Sequence, residues 1–158
     1  MSVAFTKEED LESAAADLPD RPVSPHPNLV TASGLAALDA ALGAARTAYA
    51  TAQASGDVST DRTAMARAAR DLRYYAARRA SAQLIEAGTD GVIRFGARVT
   101  LLREDGRRQV FAIVGEDEAD PAQGAVSHVS PLARALFGKE VGDTAMIAGA
   151  EVEVIAVD

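Results

Sequence analysis

Hydrophobic residues recur at two different periods along the chain, and the change between them divides it. Leu35, Leu38, Leu42, Ala45, Tyr49 and Ala52 alternate spacings of three and four, the seam spacing of a coiled-coil helix. Thr31 stands ahead of this run as a candidate cap, and Gly56 closes it. A second run, Met65, Ala69, Leu72, Ala76, Ala80 and Leu84, falls on one stripe of a second helix. Residues 31–87 therefore predict an antiparallel helical hairpin with its tip near 55–62. Alanine at so many seam positions buries little area, so the predicted hairpin is only marginally stable by itself.

From residue 91 to 158 the period falls to two. "ARVTLLRED" alternates and meets Asp105-Gly106, a hairpin-turn pair, and "RQVFAIV" returns from it. "AVSHVS" predicts a short strand. "SPLARALFG" predicts a short helix, with Ser130 as cap, Pro131 at the first helical position and Gly138 past the end. "TAMIAG" and "EVEVIAV" supply closing strands. The fold class is α+β: a helical hairpin, then a small antiparallel sheet domain with one short helix.

Residues 1–30 follow neither period. They carry Lys7 and Arg21 against Glu8, Glu9, Asp10, Glu12, Asp17 and Asp20. Pro19, Pro22, Pro25 and Pro27 block a helix and suit an extended linker. "KEEDLESAAADL" ahead of them is compatible with a short helix. The expectation is an acidic, mobile arm.

Composition narrows the functional classes. The chain has 158 residues and a net charge of −7, which argues against nonspecific nucleic-acid binding by the whole protein. Cysteine is absent, which excludes disulfides and thiolate metal sites. No apolar run approaches the roughly 18 residues of a membrane span, and the N-terminus has no export-signal pattern. A cytoplasmic protein without membrane contact is expected.

Candidate chemistry is sparse. Asp57 and Asp61 place two carboxylates at the hairpin tip. The plainer reading is that Asp57 closes the turn and Asp61 favours a helix N-terminus. The second helix carries Arg62, Arg67, Arg70, Arg73, Arg78 and Arg79. They read as a solvated face or as a basic stripe for nucleic acid or an acidic groove, with Arg67, Arg70 and Arg73 as candidate contacts. His26 and His128 lack ligand-spaced partners and read as surface or turn residues. "GEDEADP" lacks the spaced oxygens of a calcium loop and reads as an acidic structural loop.

"FGARVTLL", "IVGEDEADPAQGAVSHVSPLARALFGKEVGD" and "EVEVIAV" together resemble the C-terminal domain of the bacterial Gre transcript-cleavage factors, GreA and GreB. "TASGLAALDAAL" is similar to the family's entry into its first helix, and "GDVSTDRTA" falls at the family's tip motif. The resemblance implies an FKBP-like C-terminal domain that docks on the rim of the secondary channel of RNA polymerase. It carries the docking role onto Ser130 and Pro131, with Val129 beside them where relatives are often polar or acidic.

The resemblance also gives the tip a chemistry. Family tip carboxylates help the polymerase hold a second magnesium and its attacking water, so the metal belongs to the polymerase and none is intrinsic to this chain. Asp57 matches the family aspartate, but Thr60 stands in place of the glutamate, and Asp61 comes one residue later, where the family has asparagine. Both arms are shorter than in the cleavage factors by about two turns, which withdraws the tip by on the order of 10 Å.

The expected function is a Gre-like regulator that binds RNA polymerase at the secondary channel and modulates transcription without strong cleavage stimulation. The alternative is an active elongation factor that stimulates cleavage through Asp57 and Asp61. An interaction module for some other protein is the reading from a different class. The chain is expected to be a monomer and not itself an enzyme, with RNA polymerase as partner and nascent RNA as an indirect contact.

Overall fold

A computed structural model describes residues 18–54 and 58–158 of the chain. The backbone separates into two compact units. One takes residues up to Pro25 together with Leu38–Ser81; the other takes His26–Ala37 together with Ala82–Asp158.

The first unit is built on two long helices, α1 (Ala32–Ala54) and α2 (Val58–Ser81). The 23 residues of α1 span about 35 Å. Its seam follows the predicted spacing: Leu38, Leu42, Ala45 and Ala52 are buried and Tyr49 is half-buried. The seam of α2 differs from the expected stripe. Ala68 is buried, and Met65, Leu72, Tyr75 and Arg79 are half-buried, whereas Ala76 and Ala80 are exposed. Beyond Leu72 the helix therefore presents Tyr75 instead of Ala76. An aromatic ring buries far more area than a methyl group, and a run of alanines does nothing to oppose that roll. Helix α2 also ends at Ser81, so the hairpin stops short of the expected residue 87.

The second unit begins inside what the sequence presents as the arm. Strand β1 (Leu29–Val30) pairs in parallel with β2 (Gln83–Leu84). The Gln83 N–H donates to the Asn28 carbonyl at 2.8 Å, and the Ile85 N–H to the Val30 carbonyl at 3.0 Å. Asn28 and Val30 are buried, so residues 28–30 belong to the folded unit. Leu84, placed on the helical stripe by its spacing, is half-exposed in β2.

The five-stranded sheet consists of β3 (Arg98–Arg103), β4 (Arg108–Val114), β5 (Ala125–Ser127), β6 (Thr144–Ile147) and β7 (Ala150–Val157), in spatial order β5-β4-β3-β7-β6. Three of its pairings are antiparallel, as expected; β5 joins β4 in parallel, which makes the sheet mixed. A loop and a 3-10 turn (Pro121–Gln123) between β4 and β5 supply the crossover that parallel pairing requires. Alternation sends Val99 and Leu101 of β3 and Val152 and Val154 of β7 inward, while Arg98, Glu151 and Glu153 face out. Ile93, Ile113 and Leu136 of α3 (Pro131–Leu136) complete the core. A register shift between Thr100 and Leu101 bends β3 against β7. Asp105-Gly106 turns the β3–β4 hairpin with Gly106 at φ 83°, in the left-handed region that glycine adopts without strain.

Candidate functional site

Three places carry the candidate residues: the corner between β5 and α3, the tip, and the arginine face of α2. At the corner the chain turns from sheet to helix in three residues. The Ser130 N–H donates to the Ser127 carbonyl at 2.9 Å, and the Val129 N–H to Ser127 Oγ at 3.2 Å. Ser130 is extended, at φ −67° and ψ 154°, and its Oγ accepts from the Ala133 N–H at 3.2 Å. It is thus the N-cap of α3, with Pro131 filling the position whose N–H would have no helical partner. Pro131 is exposed, while Val129 and Ser130 are half-buried. Immediately before them, His128 is buried, with its ring edge-on to Phe95 at 5.5 Å between centroids. Of the two placements expected for His128, surface or turn, the structure gives the turn, with the side chain buried against Phe95.

At the tip, Asp57 lies outside the described residues. Helix α2 begins at Val58, so positions 60 and 61 are both helical and lie about 100° apart around its axis. The side chain of Asp61 lies outside what is described, as does that of Thr60.

The arginine face of α2 is less open than its sequence suggests. Arg73 Nε donates to Asp20 at 2.7 Å, and Arg79 Nε donates to Asp39 at 2.5 Å. Arg78 is almost completely buried. Arg70 is half-buried, 4.0 Å from the Asp71 carboxylate, and Arg67 is exposed. Arg21 reaches Asp71 at 3.2 Å and lies over the Tyr74 ring at 3.9 Å from its centroid. A hydrogen bond with Tyr75 raises the Arg21 pKa, with further help from Asp71 against partial burial. Of the three candidate contacts, Arg67 and Arg73 are exposed, Arg73 with its guanidinium on Asp20, and Arg70 is half-buried.

Sequence reasoning missed two features. Glu118, in the acidic loop, accepts from Thr31 Oγ1 and from Ser33 Oγ, each at 2.6 Å. Thr31 Oγ1 in turn accepts from the Gly34 N–H at 3.0 Å, the expected cap. The loop thus places a carboxylate at the N-terminus of α1, where the helix dipole favours negative charge. The second feature is the Asp20–Arg21 contact with α2. No local pattern marks either, because the partners lie 87 residues apart in the first and about 50 in the second.

Among the described residues, no group of three or more His, Asp or Glu side chains is placed to hold a metal, and no helix is long and apolar enough to cross a membrane.

Residues 88–158 match the family model for the C-terminal part of the transcription elongation factors GreA/GreB. Over 57 residues the chain is 56% identical to transcription elongation factor GreA of Hyphomonas neptunium, covering 35% of this chain and 36% of the relative. The chain therefore spans little more than a third of that relative's length. Over 112 residues it is 37% identical to transcription elongation factor GreB of Neisseria meningitidis serogroup B, covering 66% of this chain and 68% of the relative. The crystal structure of GreA factor homolog 1 from Thermus thermophilus is 24% identical with a TM-score of 0.39, covering 84% of this chain and 99% of that one. The GreB match is too long to be confined to residues 88–158 and reaches back toward the hairpin. By that extent and identity, the chain belongs to the GreA/GreB family.

Proposed function

We propose that this chain binds RNA polymerase at its secondary channel and modulates transcription without strongly stimulating transcript cleavage. The β5–α3 corner, Val129, Ser130 and Pro131, is the docking element, and the polymerase remains the enzyme. The observation that carries the reading is the start of α2 at Val58. With residues 60 and 61 both helical, Asp61 stands about 100° around the axis from Thr60, the position of the family glutamate. Position 61 is thus a different point on the helix from position 60, aspartate is one methylene shorter than glutamate, and magnesium demands near-octahedral geometry. The placement of such a group matters to about 1 Å. A cytoplasmic, monomeric factor fits this role.

The second reading is an active cleavage factor, with Asp57 and Asp61 lent to the polymerase's magnesium. Cleavage of a stalled, backtracked transcript by the cognate polymerase separates the two. The expectation is binding without cleavage by the wild-type protein, and a gain of cleavage in Thr60→Glu. Cleavage by the wild type that disappears in Asp57→Ala would establish the second reading. Silence of Thr60→Glu would assign the loss to the short reach of the hairpin.

A further inference from the structure

One turn of α2, residues 71–75, is already occupied by a segment of the same chain. Asp20 and Arg21 meet it with crossed charges: Asp20 takes Arg73 at 2.7 Å, and Arg21 takes Asp71 at 3.2 Å. Arg21 also lies over Tyr74 at 3.9 Å and within 5.1 Å of the Tyr75 ring centroid. The two rings are packed edge to face, 5.2 Å between centroids, so the cation sits on a preformed aromatic surface. Two adjacent residues thus make two ion pairs and a cation–π contact with a single helical turn, which sets this segment apart from a solvated linker.

The covered surface has a definite chemistry. Arg70 and Arg73 flank Tyr74 on α2, and Arg67 lies one turn further toward the tip. Tyr74 is half-buried, and arginines beside such a ring fit single-stranded nucleic acid: guanidinium groups take phosphates, and the ring stacks on a base. Asp20 occupies the guanidinium of Arg73 as a phosphate would. Arg21 covers the Tyr74 face as a base would.

We propose that Asp20–Arg21 is a strap that competes with single-stranded RNA for the arginine and tyrosine face of α2. The inference extends the reading of that face as an RNA contact and does not depend on polymerase docking. Every contact of the strap is at least one-third exposed at its charged side chains, so each is weak and the strap can be displaced. A ligand that needs the same atoms binds only to the fraction of molecules in which the strap is open, and its apparent affinity falls by that fraction.

The test is fluorescence anisotropy of a labelled oligouridylate with the full chain at low salt, in the absence of polymerase. Arg21→Ala removes a positive charge, so simple electrostatics predicts weaker RNA binding. The strap predicts the reverse, a gain of about three- to tenfold. Circular dichroism checks that helix content is retained, and Arg21→Gln serves in its place if it is not. The gain must vanish when Arg70→Ala and Arg73→Ala are added. Unchanged or weaker binding on loss of Arg21 overturns the proposal, as does a gain that survives loss of both arginines. Absence of detectable binding by every variant overturns it too. A gain for polyglutamate without one for RNA would assign the face to an acidic protein instead. Because the assay contains no polymerase, its failure leaves the docking proposal standing, and failure of docking leaves this one standing.

Discussion

In the C-terminal unit, Ile93, Val99, Leu101, Ile113, Leu136, Val152 and Val154 lose essentially all contact with water; among the described residues of the two helices, the buried apolar positions are two leucines, Leu38 and Leu42, and three alanines, Ala45, Ala52 and Ala68. Burying a branched aliphatic side chain contributes about 1.5–3 kcal/mol, whereas an alanine offers a single methyl group. The hairpin adds what its seam lacks through charge: Asp20 with Arg73, Arg21 with Asp71, and Asp39 with Arg79. All these pairs are partly exposed, and each such pair contributes about 0.2–1 kcal/mol. The difference teaches that one unit resists dilution of its contacts by salt and the other does not. Arg73 and Arg79 are also committed to carboxylates of the same chain before any partner arrives.

The largest expected effect tests the aliphatic side of the comparison. Leu101→Ala leaves a cavity among Val99, Ile113 and their neighbours, and should lower stability by about 2–5 kcal/mol in urea unfolding. Hydrogen exchange should place that loss in β3, β4 and β7 and leave α1 and α2 nearly unchanged. An equal loss in both helices would show that the two units share one cooperative transition.

A smaller effect tests how closely the sheet domain is packed against β1. Gly115 follows β4, and a Cβ there would collide with the Leu29 carbonyl oxygen, a backbone atom that cannot swing aside. Gly115→Ala should cost about 1–3 kcal/mol and speed exchange at Gln83 and Ile85, whose N–H groups bond residues 28 and 30. An unchanged exchange rate at those amides would mean that β1 and β2 adjust independently of the loop.

The smallest effect sharpens the electrostatic side. Arg79→Ala removes the pair with Asp39 and should cost about 0.2–1 kcal/mol, read as faster exchange in the hairpin helices at low salt. Near 1 M salt, where the screening length is about 3 Å, the wild type and the variant should converge. A cost that persists in high salt would assign the role of Arg79 to its packed stem and not to its charge.

Much of this architecture was legible because its causes are local. The α3 helix carries Ser130, Pro131 and Gly138 within nine residues, and each behaves as its chemistry requires. The β3–β4 hairpin follows from alternation around Asp105-Gly106, and the α1 seam from regular leucines. The α2 seam was less legible because alanines mark no face strongly. Tyr75 decides the roll of that helix through the area it buries, which is a property of the packed pair. His128 appears in the sequence as a lone polar residue, and only the approach of Phe95 from another segment turns it into a buried brace.

The sequence by itself determined the order and kind of the main elements and the turn and cap residues. These rest on side-chain chemistry acting within a few residues. Tertiary structure alone decided that β5 pairs in parallel, that Glu118 meets the N-terminus of α1, and that Asp20 and Arg21 close over α2. Each of these joins groups separated by tens of residues. Coulombic and hydrogen-bonding partners are chosen by distance in space, which the spacing of charges along a chain does not encode.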